Sequence, residues 1–165
     1  MLQIITESRN LDFFLLTKVY QQSNDEKASQ MNHILSNNER SLLVQQDFID
    51  YMHAFFCQSG SFVAVWVEDG EYCAAARVEP FEDGFLLNGL ETSPDYRNRG
   101  IGTNLLQSIV YYVQEKNLKP LYSHVSKSNH PSLHVHDKCG FVRIKDYARY
   151  IDGSVYWSSC TLCYK

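Results

Sequence analysis

The sequence predicts an α/β domain built on a mixed, mostly antiparallel sheet of six to seven strands with about four flanking helices. Three observations carry this: two Glu-Asp-Gly turns divide residues 60–92 into three apolar runs, residues 101–113 hold a clean helical stripe, and a strand-like run follows that helix. The order reads β-α-α-β-β-β-α-β-α-β-β across residues 1–165, expected to form one domain. A chain of this length buries enough apolar surface for a single core.

The elements follow in turn. Residues 2–7 (LQIITE) read as a first strand, and Leu11, Phe14, Leu15, Val19 and Tyr20 then recur at helical spacing. The tract after them (QQSNDEKASQMNHILSNNE) is the most polar in the chain and reads as a loop with one weak helical turn. A second helix begins near Glu39, with Leu43, Phe48, Met52, Phe55 and Phe56 as its apolar side. Asp-Gly between apolar runs is a hairpin signal, so residues 60–92 form an antiparallel meander.

Ile101, Leu105, Ile109, Tyr112 and Val113 mark the next helix, and KPLYSHVS the strand after it, which implies a parallel crossover. Asn129 can cap a further helix with Pro131 in its first turn and Gly140 as its stop. FVRIKDYARYI and VYWSSCTLCYK, separated by a turn at DGS, form a closing hairpin.

Composition narrows the function. A formal charge of -4 with scattered Lys and Arg argues against nucleic acid as the main partner. The apolar stretches fall short of the roughly 20 residues a membrane-spanning helix needs. The N-terminus lacks the features of a signal peptide, and five cysteines at irregular spacing suit reduced, mostly buried thiols, so a cytoplasmic address is expected. Cys160 and Cys163 form a CxxC, but in a strand residues i and i+3 face opposite sides.

The stretch ETSPDYRNRGIGTNLL places Arg97, Asn98, Arg99, Gly100, Ile101, Gly102 and Thr103 at the mouth of the best helix, directly after a strand. A helix opening presents unsatisfied N–H groups and partial positive charge, and glycines let a phosphate approach the backbone. It is neither a Walker loop, which requires Gly-Lys-Ser/Thr, nor a GxGxxG dinucleotide fingerprint.

With the second block NHPSLHVHDKCGF, this loop resembles the GNAT superfamily of acyl-CoA-dependent N-acetyltransferases. Asn129, Ser132, Val135, Asp137, Lys138, Gly140 and Phe141 match that superfamily's later motif, about thirty residues after the loop and in the right order. The resemblance implies acetyl-CoA as co-substrate, an amine acceptor and no metal. It further implies a sheet splayed open after its fourth strand and backbone amides of Arg99 to Thr103 on the pyrophosphate. The thioester would lie near a bulge around Leu90 to Thr92, and Asn129 and Ser132 would complete the cofactor contacts.

Acyl transfer needs a neutral amine, a stabilised oxyanion and a proton for the departing thiolate. Where the family usually carries a tyrosine as acid, this chain has His136, the candidate acid in its place; Tyr122, Tyr147 and Tyr150 are alternatives, and a hydrogen-bonded core or cleft histidine with no proton-transfer role is the competing reading. Glu91 is the candidate base, with Glu79 a comparable one, and strand alternation leaves open whether Glu91 faces the cleft. His134 and His136, two apart on a helix, diverge too far to share a metal.

Arg77, in an apolar run, either pairs with Glu79 or Glu91 or reaches into the acceptor pocket. Asp12, Asp25, Glu26, Asp47 and Asp50 would suit a polycationic acceptor but are the composition of a solvated surface. A homodimer through the C-terminal strand is compatible with the sequence. The replacement at His136 also leaves room for a regulatory module that binds acyl-CoA with little or no transfer.

Overall fold

The computed structural model describes residues 1–31 and 34–165. Its strands are β1 (Leu2–Ile5), β2 (Phe62–Glu68), β3 (Glu71–Phe81), β4 (Gly84–Thr92), β5 (Leu121–Ser126), β6 (Val142–Lys145), β7 (Ala148–Arg149), β8 (Val155–Tyr156) and β9 (Ser159–Tyr164). Its helices are α1 (Phe13–Val19), α2 (Gln21–Ser29), α3 (Asn37–Cys57), α4 (Ile101–Glu115) and α5 (His130–Lys138). Seven strands form one sheet in the order β1-β2-β3-β4-β5-β9-β6, and β7 and β8 make a separate ribbon. All its neighbours are antiparallel except β4 and β5, the pair joined through α4, as the crossover predicted.

The sheet's two faces are covered differently. Ala64, Ala74, Ala76, Val78 and Leu87 meet Ile101, Leu105, Leu106, Ile109 and Val113 of α4, all buried, with Cys139 and Phe141 from the end of α5 in the same cluster. On the other face Val63, Val65 and Ala75 pack beneath Leu16, Val19, Met52 and Phe55 of α1 and α3. Cys160 lies in the first cluster and Cys163 under the opposite face, so the CxxC thiols point apart.

Several expectations are corrected. Residues 21–29 are helical rather than loop: Gln, Glu, Lys and Ala are good helix formers, Gln22 donates to Glu26 one turn on at 2.9 Å, and Ala28 docks in the interior. Asn32 and His33 of the same tract lie outside the described residues. Phe14 and Leu43 are exposed, while Leu16 and Val44 take the buried positions. The closing hairpin is interrupted: β6 pairs β9, and the DGS turn sits on the detached β7–β8 ribbon. Its last strand is flanked by β5 and β6, so edge pairing of two chains through β9 is closed off, and the edges of the sheet are β1 and β6.

Two features shape a cleft. β4 pairs β5 only from Phe85 to Leu87, whereas β5 continues along β9 to Ser126, so the two strands diverge beyond Leu87. In the same stretch the β3–β4 register slips by one residue, from Arg77 opposite Asn88 to Ala75 opposite Glu91. Gly89 and Leu90 therefore bulge against Ala76, slightly ahead of the expected Leu90 to Thr92.

Candidate active site

The bulge decides which way the end of β4 faces. Leu87 lies on the α4 side, and uninterrupted alternation would carry Gly89 and Glu91 there too. The extra residue reverses the pattern. Leu90 packs with the α4 cluster, while Glu91, opposite Ala75, turns to the α1–α3 face. Gly89 itself sits at φ 58°, and its carbonyl accepts a hydrogen bond from the Tyr20 hydroxyl at 2.6 Å.

At the other end of the diverging strand, Pro94–Tyr96 form one 3₁₀ turn and the chain enters α4 through Gly100 in the left-handed region, φ 76°. No side chain caps this helix. Asn104 N–H reaches Gly100 C=O at 2.9 Å, leaving the N–H groups of Ile101, Gly102 and Thr103 without a partner among the described residues. A Cβ on Gly102 would come within 2.9 Å of Thr92 Oγ1, so the helix mouth closes tightly on the end of β4. This is a bare-backbone cradle of the kind an anionic diphosphate fits.

The side chains of that loop divide. Ile101 is buried and lends only its backbone, and Asn98 is exposed at φ 59°. Arg99 lies over the Tyr96 ring at 5.2 Å and pairs with Glu68 at 3.3 Å. Arg97 turns away from the cradle: it donates to Thr92 C=O at 2.9 Å and Gln22 Oε1 at 2.7 Å, tying β4 to α2. Asn129 caps α5 by accepting from Ser132 N–H at 3.1 Å.

His136 is buried with both ring nitrogens engaged: Nδ1 lies 2.8 Å from Ser132 C=O and Nε2 2.9 Å from Ser123 Oγ. Nδ1 must donate to the carbonyl, so Nε2 accepts from the serine. Burial lowers its pKa and keeps it neutral. No proton is left to offer outward, and the geometry favours the core-histidine reading over the acid.

Among the three tyrosines, Tyr122 gives its hydroxyl to Asp83 at 2.7 Å, and Tyr147 packs on Trp157. Tyr150 instead packs edge-on at 4.9 Å against His124, one residue past the last β4–β5 pair, and burial raises its pKa. It borders a depression of about 550 Å³ with Phe81, Glu82 and Arg149. A groove of about 560 Å³ lies between α4, at Gln107 and Tyr111, and the β1–β2 end of the sheet, at Leu2 and Trp66, away from the divergence of β4 and β5.

The face toward α1–α3 is unexpectedly polar. Glu91 accepts from Ser23 at 2.6 Å with Arg97 3.9 Å away, and burial raises its pKa despite both. Glu79 is buried and accepts from Asn88 at 2.7 Å. Arg77 is held among the rings of Tyr51, Tyr20 and Phe48, at 5.0, 5.4 and 6.0 Å from their centroids. Among the described residues it has neither a hydrogen bond nor an ion pair within 4 Å, and its Nε is sealed from solvent. An orphaned buried donor costs about 1–3 kcal/mol. Sequence reasoning missed Tyr20, Ser23, Asn88 and His124; of these, only Asn88 carried a signal, since the Asn-Gly beside it inside a strand marks a bulge.

Among the described residues no group of three or more His, Cys, Asp or Glu side chains could hold a metal ion, and no helix is long and apolar enough to cross a membrane. A splayed mixed sheet with a bare-backbone helix mouth at the crossover is compatible with an acyltransferase of the CoA-dependent kind. The chain belongs to the acetyltransferase (GNAT) family, whose model matches residues 19–141.

Solved structures of similar fold include a PaiA N-acetyltransferase from Thermoplasma acidophilum in complex with coenzyme A (16% identity, 100% of this chain and 99% of that one, TM-score 0.70). The ribosomal-protein-S18-alanine N-acetyltransferase from Escherichia coli matches at 16% identity over 99% of this chain and 92% of that one, TM-score 0.63. A GNAT family acetyltransferase from Elizabethkingia anophelis with acetyl-CoA bound matches at 15% identity over 70% and 82%, TM-score 0.58. No curated protein matches the chain.

Proposed function

We propose that this protein moves the acetyl group of acetyl-CoA to a primary amine by direct attack of the amine on the thioester. The observation that carries this reading is the junction of β4 and α4, where diverging strands meet a helix mouth whose first N–H groups have no partner among the described residues. In this reading the amides of Arg99 to Thr103 hold the pyrophosphate, and the pantetheine arm runs between β4 and β5 toward Asn129 and Ser132. The backbone N–H beyond the bulge at Leu90 polarises the thioester carbonyl.

Glu91, turned by the bulge to the α1–α3 side, takes the proton of the incoming ammonium, directly or through water. Its raised pKa makes it a stronger base than an exposed carboxylate. Tyr150 protonates the departing thiolate, and His136 serves to lock α5 onto β5. A reducing, cytoplasmic setting suits free Cys57, Cys73, Cys139, Cys160 and Cys163.

Titration calorimetry with acetyl-CoA, on the wild type and a Gly100→Glu variant, tests the cradle. Binding by the wild type that the variant loses supports it; no binding by the wild type overturns it. The engagement of both His136 nitrogens favours one other reading, a module that binds acyl-CoA without transfer. Release of CoA in the presence of an amine panel separates the two.

A further inference from the structure

We propose that the acceptor is an amine that also carries a carboxylate, a substrate of the amino-acid class, and that Arg77 is the residue that binds the carboxylate. The proposal rests on the acetyl-transfer reading above. Arg77 projects from β3 onto the same face as Glu91, directly beneath the bulge: a Cβ on Gly89 would stand 2.5 Å from its Nη2. Glycine at that position leaves room for the guanidinium at the point where β4 leaves β5.

The guanidinium is fixed without spending its donors. Three aromatic rings surround it, and rings hold a cation through their faces while leaving the planar N–H fork free. Two carboxylates on the same face do not take that fork. Glu79 accepts from Asn88 and Glu91 from Ser23, with Arg97 the nearer cation to Glu91. Arg77 is half-buried: its Nε is sealed from solvent beside Gly89, and its Nη groups, which have no partner among the described residues, are the donors left for a ligand to meet.

A carboxylate meets such a fork with two parallel hydrogen bonds. Arg77, opposite Asn88, and Glu91, opposite Ala75, stand one alternation apart on the same face, so a carboxylate held on Arg77 directs the acceptor amine toward Glu91. The same cation repels a polyamine. The carboxylates that would attract one, Asp12, Asp25, Glu26, Asp47 and Asp50, are all exposed.

The test measures kcat/KM for matched acceptors on the full chain: L-phenylalanine against phenethylamine and L-phenylalaninamide, and L-lysine against cadaverine. The carboxylate-bearing member should be preferred by about tenfold or more, as the loss of a charge-assisted bidentate pair predicts. Arg77→Gln should bring that ratio near unity through KM, and Arg77→Lys, which keeps the charge but not the fork, should fall between. The wild-type ratios need no variant, so a poorly folding Arg77→Gln protein leaves the test intact.

Equal or better use of the amines without a carboxylate overturns the proposal, as does a ratio unchanged in Arg77→Gln or acetyl-CoA binding with no turnover of any acceptor. Calorimetry with acetyl-CoA on the same preparations separates the two levels. Wild-type protein that does not bind acetyl-CoA fails the acetyl-transfer reading itself, whereas binding and turnover without carboxylate preference sink the role of Arg77 alone.

Discussion

Strand β3 serves two opposite purposes on alternate residues. Ala74, Ala76 and Val78 lie fully buried against α4, while Arg77 and Glu79, one residue out of phase, face the α1–α3 side with polar partners or none. The α4 side is a close-packed apolar layer that fixes the helix mouth on the end of β4. The other side has an apolar core under α1 and α3 and, next to it, charged groups among the aromatic rings around Arg77. One side is packed for rigidity and the other carries the groups proposed to recognise the acceptor, and a strand's period of two lets the same backbone do both.

The largest expected effect is on the apolar side. Ile109 is fully buried there, and Ile109→Ala should cost about 2–5 kcal/mol of unfolding free energy, since a cavity adds to the lost transfer term. Chemical denaturation measures it. A loss under 1 kcal/mol, roughly the value of an exposed site, would mean that α4 is loosely seated and the contrast between the faces is overdrawn.

Next comes the cradle. Gly102→Val sets a branched side chain against Thr92 and should weaken acetyl-CoA binding by roughly a hundredfold, or about 2.7 kcal/mol. Titration calorimetry reads this directly, and unchanged affinity would place the cofactor elsewhere.

A smaller effect belongs to the recognition side and depends on pH. Burial, helped by the nearby Lys145 charge, lowers the pKa of His124 to about 4. The folded state therefore resists protonation more than the unfolded chain. This contribution to stability is fully present above the unfolded value of about 6.5 and is lost as pH falls toward 4. His136, also lowered by burial, acts in the same direction. His124→Phe should remove part of this slope, about 1–2 kcal/mol between neutral pH and pH 4 once the ring's partial exposure to solvent is discounted. Denaturation curves at a series of pH values test it; an unchanged slope would assign the acid sensitivity to other groups.

The smallest effect sharpens the role of α2. Ser23→Ala removes a hydrogen bond that lowers the pKa of Glu91, so the acidic limb of kcat/KM should move upward. A limb that stays in place would separate Glu91 from the chemistry.

The apolar side was legible because it obeys a period. Ile101, Leu105, Ile109 and Val113 recur at helical spacing, and all are buried against the sheet. The bare backbone of the loop from Arg97 to Thr103 was legible as well, since a strand, a proline turn and two glycines lead directly into the stripe of α4. α2 was not, because a helix with a single buried residue leaves no stripe to read, yet it supplies Gln22 and Ser23 to the site. Arg97 was expected on the phosphate because of its neighbours in sequence, and its side chain goes to Gln22 and Thr92 because α2 is there.

By itself the sequence determined the order of elements, the crossover, the bare-backbone loop and the GNAT resemblance. All of these depend on local spacing and on residue types whose constraints act within a few positions. The bulge was expected from the resemblance and signalled by Asn88-Gly89; only the tertiary structure decided its place at Gly89 and Leu90, that Glu91 and Arg77 share a face, and that His136 closes on Ser123 and Ser132. These are register and burial, which neighbouring strands and helices impose from many residues away, and no local pattern encodes them.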